Sequence, residues 1–511
     1  MGETKIETIA AIDLGANFIR MIIAEISNNG SIKVLDDLHK NTSIGKDTFK
    51  NKRIGLEAIY ECCDTLNGFI KLMKDYNVKS YWAVSTSGIR EAENREYVLE
   101  QIRVKTGILI EVINNSQERL LVFKAIRDRL QDSEKIYDEG ALVLNIGSGG
   151  IEVSVYMEGT LRFTEYIKIG ALRLRETLSE LENKSSNFPD LMREYVESKI
   201  YSSIKYMKRV KIKNFICLGG SLKLIMKFYE NKDDNYLTKG LLVDFYNKLC
   251  EMSTEKVCDI YNLSSREAKL LLPSITLVLS FINMTEAEGI YVPQISLRHG
   301  MLRDMIISKY DSAKKEFYNQ DIISSIWFIA EKYGVDKKHA NNVEKTAMQI
   351  FDQTYKIHSF SERERTILKI AAILHDVGKY ISLDDQGKHC YSIIHNEQIL
   401  GFSDRDLNIV ANVARYQSDE IPSLSHENYN VLNYKDKLIV SKLAAVLKLA
   451  DAINMSNRNK IKDVMVTFDE RFVYFNIESY SDITLEAWCF EKNVDFFEEV
   501  LGLKPILKIK K

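Results

Sequence analysis

Two short segments of this sequence carry residue types that bind a phosphate group together with its cation. The first runs Asp13-Leu-Gly15-Ala-Asn17 and the second runs Asn145-Ile-Gly147-Ser148-Gly149, each between two apolar stretches. This pattern predicts two β-hairpins whose turns present an acid or amide beside glycines. Glycine lets backbone N–H groups approach phosphate oxygens, and the neighbouring side-chain oxygen can bind Mg²⁺. Two copies about 130 residues apart predict two half-domains that hold one phosphate chain between them.

Composition limits the classes of protein to consider. With 511 residues the chain is too long for a single core, and Lys+Arg 70 against Asp+Glu 72 gives a net charge of −2. This balance argues against DNA as a partner. The seven cysteines form no Cys-x-x-Cys pair, which favours reduced thiols and a cytoplasmic location. No apolar run has the length of a membrane span, so we expect no membrane partner.

Strands and helices alternate on either side of the second turn, which predicts α/β sheets in both halves of this region. Residues 108–113 are predicted to form a strand that leads into a helix containing Glu118. Residues 294–300 are predicted to form the last strand of this region. From residue 310 the pattern becomes that of long amphipathic helices, and strand-like segments return only from residue 464.

Four motifs occur in a characteristic order. They are Ile12-Asp13-Leu-Gly15-x-Asn17, Ser85-Thr-Ser-x-x-Arg90-Glu-Ala, Gly170-Ala-x-Arg173-Leu and Gly300-x-x-Arg303. In this order and approximate spacing, the chain resembles the exopolyphosphatase/guanosine-pentaphosphate phosphatase (Ppx/GppA) family. The resemblance implies an α/β fold with two actin–hexokinase-like (ribonuclease-H-like) half-domains, residues 1–127 and 128–308. It also implies an all-α HD-like domain, residues 309–461, and a small α+β C-terminal domain, residues 462–511.

The resemblance implies a complete phosphohydrolase site. Glu118 stands at the position of the family's catalytic glutamate, although a first-turn acid can also simply complement a helix N-terminus. Asp13, Asn145 and Glu152 would surround Mg²⁺ or Mn²⁺, and Asp13 has a turn-capping role as its alternative. The residues expected to bind phosphate are Gly15, Asn17, Arg90, Gly147, Ser148 and Gly149. Arginine suits a terminal phosphate because its planar guanidinium donates several hydrogen bonds.

The second turn departs from the family pattern. The resemblance leads us to expect Asp-Ile-Gly-Gly-Gly-Ser-Thr-Glu, whereas this chain has Asn145 in place of the acid and Gly150-Ile151 in place of Ser-Thr. The first turn has Ala16 and Phe18 where serines are expected. Each lost hydrogen bond to phosphate costs about 1.5–3 kcal/mol unless another donor replaces it. A protein that binds the phosphate chain without turnover therefore stands as an alternative to an enzyme.

The helical region contains a second group of candidate metal ligands. Of the eight histidines, His339, His375 and His389 occur in an ordered pattern with Asp376 and a later Asp451. Imidazoles and carboxylates on facing helices can hold a divalent metal. The pattern resembles the HD phosphohydrolase domain, and we consider a metal site at His339, His375, Asp376 and Asp451. The alternative is a hydrogen-bonded cluster that only stabilises the helices.

Four functional hypotheses follow. The first is an exopolyphosphatase that releases terminal orthophosphate from inorganic polyphosphate, and the second is a guanosine-pentaphosphate (pppGpp) 5′-phosphatase. The third is a non-hydrolysing sensor of polyphosphate or an alarmone nucleotide, and the fourth is hydrolysis by the HD-like domain. Clustered cations (Lys205, Lys208, Arg209, Lys211 and Lys213) could follow a polyphosphate chain. The resemblance also implies a homodimer.

Overall fold

The chain divides into two units, residues 1–321 and residues 322–511. The structure is a computed structural model. It describes residues 7–27, 30–129, 133–182, 184–185, 187–207, 210–229, 235–310, 312–461, 463–479 and 481–510. The finer division into four domains stays a prediction.

A five-stranded sheet with strand order β3-β2-β1-β4-β5 opens the first unit. Its strands are β1 (Glu7–Leu14), β2 (Phe18–Ile26), β3 (Ile32–Asn41), β4 (Ser80–Ser85) and β5 (Glu111–Val112). β1 pairs antiparallel with β2 and parallel with β4, and β4 pairs parallel with β5. The ends of β1, β4 and β5 therefore meet at one edge, where ligands of open α/β sheets bind. β5 is shorter than the strand predicted over residues 108–113.

A six-stranded sheet with order β10-β11-β9-β6-β7-β8 repeats this arrangement. Its strands are β6 (Ala141–Ile146), β7 (Ile151–Met157), β8 (Thr160–Ile167), β9 (Asn214–Gly219), β10 (Tyr236–Thr238) and β11 (Gly289–Tyr291). β6 pairs antiparallel with β7 and parallel with β9, as β1 does with β2 and β4. The predicted α/β class with two similar halves is therefore confirmed.

The helices of the first unit cover both sheets and bury their apolar faces. They are α1 (Ile44–Asn51), α2 (Leu56–Asp75), α3 (Ser87–Arg90), α4 (Arg95–Thr106), α5 (Asn115–Arg129), α6 (Ser133–Asp138), α7 (Ala171–Leu178), α8 (Phe188–Met207), α9 (Gly220–Phe228), α10 (Lys239–Cys250), α11 (Thr254–Tyr261), α12 (Ser265–Ile282) and α13 (Leu297–Tyr310). A 3₁₀ turn, Ser179–Leu181, follows α7. Among the described residues, no helix is both long and apolar enough to cross a membrane.

The strand predicted over residues 294–300 is wrong, because α13 begins at Leu297 and the last strand is β11. Ile295 and Leu297 alternate in the sequence as strand residues do, and this produced the prediction. The buried residues Leu297, Met301 and Leu302 recur instead at the spacing of a helix face. The helix continues beyond the short window that looked like a strand.

The second unit is a helical bundle followed by a three-stranded sheet. The boundary falls within α14 (Ser312–Lys332), and the further helices are α15 (Lys337–Gln353), α16 (Tyr355–His358), α17 (Glu362–Leu374), α18 (Gln386–Asn396), α19 (Asp404–Arg415), α20 (Glu427–Asn430), α21 (Tyr434–Ile453), α22 (Thr484–Glu491) and α23 (Val494–Leu501), with a 3₁₀ turn Val377–Tyr380. The strands β12 (Val464–Phe468), β13 (Phe472–Glu478) and β14 (Lys504–Lys510) pair in the order β12-β13-β14. One continuous apolar core joins helices α15, α17, α19 and α21 to this sheet.

Candidate active site

The two predicted turns close with the same backbone hydrogen bond. The N–H of Gly15 donates to the carbonyl of Phe18 at 3.0 Å, and that of Gly147 donates to the carbonyl of Gly150 at 2.9 Å. The hairpins β1–β2 and β6–β7 thus carry equivalent turns at the edges of their sheets. Local turn chemistry, read from the sequence, placed both correctly.

Asp13 lies at the end of β1 with a buried carboxylate. Its Oδ2 is 3.5 Å from Nη1 of Arg20, the residue directly opposite on β2. Its Oδ1 is buried and has no hydrogen-bond partner among the described residues. Burial raises the pKa of Asp13, and the nearby cations Arg20 and Arg298 oppose that rise. An unpaired oxygen on a buried acid leaves room for a cation.

Glu152 faces Asn145 across the second hairpin. The two residues are register partners, and Asn145 Nδ2 donates to Glu152 Oε2 at 3.0 Å. The second oxygen, Oε1, is buried without a hydrogen-bond partner in the described part of the chain. Burial raises the pKa of Glu152, while Arg119, the Asn145 hydrogen bond and Arg90 lower it. Asn145 therefore orients the acid beside it.

Glu118 stands in the first turn of α5 beside Arg90. Arg90 Nη1 lies 3.7 Å from Glu118 Oε2 and donates to the carbonyl of Ile113 at 2.6 Å. The other terminal nitrogen of Arg90 donates to Asn115 Oδ1. Burial and the charge of Glu152 raise the pKa of Glu118 to about 8, against the lowering effect of Arg90. Such a pKa is suited to proton transfer near neutral pH.

Two buried oxygens, Asp13 Oδ1 and Glu152 Oε1, are candidate ligands for a divalent cation. Both atoms are buried, both belong to carboxylates, and both lack a hydrogen-bond partner among the described residues. Hard cations such as Mg²⁺ bind carboxylate oxygens in preference to other side-chain atoms. The charges of Asp13 and Glu152 both act on the pKa of Glu118, so each of these two acids lies within electrostatic reach of Glu118.

The remaining phosphate-binding candidates lie in the two turns. Asn17 is buried in the first, and the second is held by the beginning of α7. Arg173 donates its backbone N–H to the carbonyl of Ser148 at 2.9 Å, and its guanidinium donates to the carbonyl of Gly149. The contacts leave the turn in one defined conformation.

Several residues around this site were given no role by the sequence analysis. They are Arg20 opposite Asp13, Glu91 and Arg173 behind the second turn, Arg119 beside Glu152, and Tyr166 on β8. Arg173 and Glu91 belong to the quoted motifs, so the order of motifs was a signal for them. Arg119 and Tyr166 carried no such signal. Of the predicted basic cluster, Lys211 and Lys213 are exposed, whereas Lys208, Arg209 and the side chain of Lys205 lie outside the described residues.

The second unit brings the predicted histidines and aspartates together. His339 Nε2 lies 3.3 Å from His375 Nε2 and 3.3 Å from Asp451 Oδ1. His375 Nε2 is 3.5 Å from Asp451 Oδ1 and 3.5 Å from Asp376 Oδ1. His339, His375 and Asp376 are buried. The ligand atoms of His339, His375 and Asp376 all lie within 4.8 Å of one another, and neither Asp451 nor His389 belongs to this described group.

The duplicated sheet order and the paired turns define a protein of the actin–hexokinase-like fold. Comparison with protein families gives a narrower result. The sequence model described as "Ppx/GppA phosphatase family" matches residues 22–309, and that described as "Ppx/GppA phosphatase, domain III" matches residues 323–488. The chain belongs to the Ppx/GppA phosphatase family. Members of this family hydrolyse phosphoanhydrides and generally depend on a divalent metal.

Individual relatives are distant. The guanosine-5′-triphosphate,3′-diphosphate pyrophosphatase of Photobacterium profundum is 20% identical over 422 residues, covering 82% of each chain. The bifunctional 3-dehydroquinate synthase/phosphatase of Fusobacterium nucleatum is 25% identical over 287 residues, 55% of this chain and 40% of that protein. The crystal structure of an exopolyphosphatase from Cytophaga hutchinsonii has a TM-score of 0.54 at 19% identity, covering 59% of this chain and 98% of that one. This last likeness shows a shared fold.

Proposed function

We propose that this protein is a metal-dependent exopolyphosphatase that removes the terminal orthophosphate from inorganic polyphosphate. The observation that carries the proposal is the position of Glu118. Its carboxylate lies beside Arg90 and has a pKa raised to about 8, and its two acidic neighbours, Asp13 and Glu152, each have a buried oxygen with no hydrogen-bond partner among the described residues. The site therefore combines a proton acceptor (Glu118), an arginine that can bind phosphate (Arg90) and two candidate metal ligands.

The roles of the residues follow from their positions. Arg90 is held by Ile113 and Asn115, and its remaining N–H groups can donate to the terminal phosphate. Glu118 orients the attacking water and accepts its proton. The bond between the terminal phosphorus and the bridging oxygen then breaks, which releases orthophosphate and a chain shorter by one unit.

Asp13 and Glu152 would hold the divalent cation, Mg²⁺ or Mn²⁺, through Oδ1 and Oε1. Bound there, the cation would neutralise charge on the phosphate chain and stabilise the transition state. Asn145 fixes Glu152 by its hydrogen bond, and its amide oxygen is the third candidate ligand. Backbone N–H groups of the turns and the side chains of Asn17 and Ser148 complete the phosphate site.

Hydrolysis of the 5′ phosphate of pppGpp is the alternative activity, because the same groups act on any terminal phosphoanhydride. The relative from Photobacterium profundum, matched over 82% of this chain, is named guanosine-5′-triphosphate,3′-diphosphate pyrophosphatase, which supports this alternative. Binding without turnover is the third possibility, favoured by the missing hydroxyls of the second turn.

The decisive experiment compares wild type with Glu118→Gln on long-chain polyphosphate and on pppGpp, each with Mg²⁺ or Mn²⁺. We expect phosphate release from polyphosphate by wild type and a loss of about 10²–10⁴-fold in the variant. Glu100→Gln, which changes an exposed glutamate paired with Arg103, is the matched control. Faster release from pppGpp would favour the nucleotide activity, and binding without any release would favour the sensor.

A second activity is supported by the cluster of His339, His375, Asp376 and Asp451 in the second unit. His375 Nδ1 lies 2.7 Å from the carbonyl of Ala372, so this nitrogen carries the proton and Nε2 presents its lone pair to the cluster. Four of the ligand-atom distances, 3.3 to 3.5 Å, match the edge of a tetrahedron with metal–ligand bonds of about 2.1 Å, while His339 Nε2 lies 3.8 Å from Asp376 Oδ2. We infer a divalent-metal site with phosphohydrolase potential.

Metal analysis separates this activity from the first. In an Asp13→Asn/Glu118→Gln background, we expect one bound Mn²⁺ or Zn²⁺ per chain, lost in His375→Ala and retained in the exposed-residue control His395→Ala. Residual hydrolysis of polyphosphate or of bis-p-nitrophenyl phosphate that depends on His375 would establish catalysis there. Equal metal content in all three proteins would exclude the site.

A further inference from the structure

The side chain of Tyr166 fills the space beside the second turn. A Cβ atom built on Gly150 would lie 2.3 Å from both Cζ and Oη of Tyr166. No other residue type than glycine therefore fits at position 150 while the ring stays in place. The position is one where the family resemblance leads us to expect a hydroxyl-bearing residue, so the tyrosine occupies the room that a serine side chain would need.

Strand register places Tyr166 in line with the candidate metal-binding residues. Asn145 on β6 is paired with Glu152 on β7, and Glu152 is paired with Tyr166 on β8. Directly opposite residues of antiparallel strands point to the same face of a sheet. The three side chains therefore form one row that leads from the turn of the second hairpin across its sheet.

The hydroxyl of Tyr166 is buried and has no hydrogen-bond partner among the described residues. A buried hydroxyl without a partner is costly and rare, which suggests that a ligand supplies the missing bond. The charged side chains that act on this hydroxyl are Arg90, Glu118, Glu91 and Arg173. It therefore lies within electrostatic range of Arg90, assigned to the terminal phosphate, and of Glu118, assigned to the attacking water.

Burial raises the pKa of Tyr166 above its ordinary value. The phenol thus stays protonated at neutral pH and can act as a hydrogen-bond donor. An oxygen of a phosphoryl group is the matching acceptor, since it carries negative charge and lies within reach of Arg90 in the proposed site.

We propose that the Tyr166 hydroxyl donates a hydrogen bond to the terminal phosphoryl group and so replaces the hydroxyls absent from the second turn. The inference rests on the proposed phosphohydrolase function. In the second turn, the hydrogen-bond donor to phosphate is then a tyrosine hydroxyl and not a serine or threonine hydroxyl. Gly150 has no side chain, so the ring of Tyr166 can occupy the adjacent space. Tyr166 is accordingly a substrate-contacting residue, and the absence of Ser-Thr from the turn does not imply an inactive protein.

The first test removes only the hydroxyl. Tyr166→Phe keeps the ring that packs on Gly150, and we expect kcat/KM for polyphosphate to fall about 10- to 100-fold at unchanged melting temperature. Tyr236→Phe removes a hydroxyl from β10 at the other edge of the same sheet and serves as the control. Equal kcat and KM in Tyr166→Phe and wild type would overturn the proposal.

The second test exchanges the donor. Gly150→Ser alone should be strongly impaired, because its Cβ collides with the tyrosine ring. Gly150→Ser/Tyr166→Ala vacates that space and offers a serine hydroxyl, so we expect it to exceed both single variants in kcat/KM. A double variant no better than Tyr166→Ala would contradict the exchange of one donor for another.

Binding separates this proposal from the proposed hydrolysis. With tripolyphosphate and Mg²⁺ as the calorimetric probe, Tyr166→Phe should bind about 10-fold more weakly than wild type. If wild type releases no phosphate and yet this loss appears, the hydrolytic function fails while the role of Tyr166 stands. If wild type is active and the variant binds and turns over normally, the role of Tyr166 alone fails.

Discussion

Asn145 and Glu152 face each other across the second hairpin, with Asn145 Nδ2 donating to Glu152 Oε2 at 3.0 Å. An aspartate at position 145 would place two carboxylates side by side in a buried site. The amide avoids that repulsion and bonds one oxygen of Glu152, while the other oxygen has no hydrogen-bond partner in the described part of the chain. The departure of this turn from the family pattern therefore has a structural consequence: the acid of the second hairpin is held in place by a hydrogen bond from the opposite strand.

This relationship predicts opposite effects of Asn145→Asp with and without metal. The change removes a hydrogen-bond donor and adds a negative charge, so the metal-free protein should lose about 1–3 kcal/mol of stability. Bound Mg²⁺ should offset the repulsion, which makes the Mg²⁺-induced rise in melting temperature larger than in wild type. Thermal unfolding with Mg²⁺ and with EDTA measures both. Asn214→Asp, which loses an amide donor to the carbonyl of Ile136, should show no enlarged response to Mg²⁺.

The pH profile should follow the ionisation of Glu118. Burial and the charge of Glu152 raise its pKa to about 8, and only the deprotonated form accepts a proton from water. We expect kcat/KM to rise with pH and then to level off, with the limb below the metal-free pKa of about 8 because Mg²⁺ bound at Asp13 and Glu152 adds positive charge beside Glu118. Glu152→Gln removes a negative neighbour, so its residual activity should level off at lower pH. Initial rates at constant ionic strength and saturating Mg²⁺ provide the profile, and a limb that moves to higher pH in this variant would contradict the assignment.

Gly170→Ala should disrupt the second turn. Its Cβ would lie 2.3 Å from the nitrogen of Gly150 and 2.5 Å from the carbonyl oxygen of Gly147. These are backbone atoms, so the turn itself must move, and we expect kcat/KM to fall by at least about 10-fold. Steady-state kinetics and melting temperature measure the effect. Gly240→Ala in α10 is the control, because its Cβ meets only Thr238 Oγ1 at 4.0 Å and the helix should gain about 0.5–1 kcal/mol.

The pair of Arg173 and Glu91 should be energetically coupled. Arg173 Nη2 lies 2.7 Å from both carboxylate oxygens of Glu91, while Nε bonds the carbonyl of Gly149. Arg173→Lys keeps the charge but loses this geometry, so we expect about 10- to 100-fold lower kcat/KM. In a double-mutant cycle with Glu91→Gln the losses should not add. Arg175→Lys, on the same helix and paired with Glu182, should retain activity, and additive losses in the cycle would exclude the coupling.

Much of the fold could be predicted because its signals are local. The alternation of apolar residues and the turn glycines located β1–β2 and β6–β7, and helical periodicity located α2. The exception, residues 294–300, shows the limit of a short window. Ile295 and Leu297 alternate like a strand, whereas burial of Met301 and Leu302 on one side reveals α13. The helical conformation there depends on the packing of residues beyond position 300, which the seven-residue segment does not include.

The candidate site was predictable only in part. Asp13 and Asn145 lie at turns that the sequence indicates directly. Arg90 belongs to one of the ordered motifs, and Glu118 was assigned by the family resemblance. No sequence motif indicates Tyr166. It is placed at the site by the strand register that pairs it with Glu152 and by the absence of a side chain at Gly150. Arg119 likewise could not be assigned to the site from the sequence. Its charge lowers the pKa of Glu152, a residue distant from it in the chain.

By itself, the sequence determined the two glycine turns, the acids and amide beside them and the change from α/β to helical texture, because neighbouring residues control turns and periodicity. The tertiary structure alone decided which oxygens are left unpaired, how far the pKa of Glu118 rises and which hydroxyl stands beside the second turn. These properties depend on burial and on charges brought together from distant segments. Electrostatic interactions become strong only where packing has excluded water.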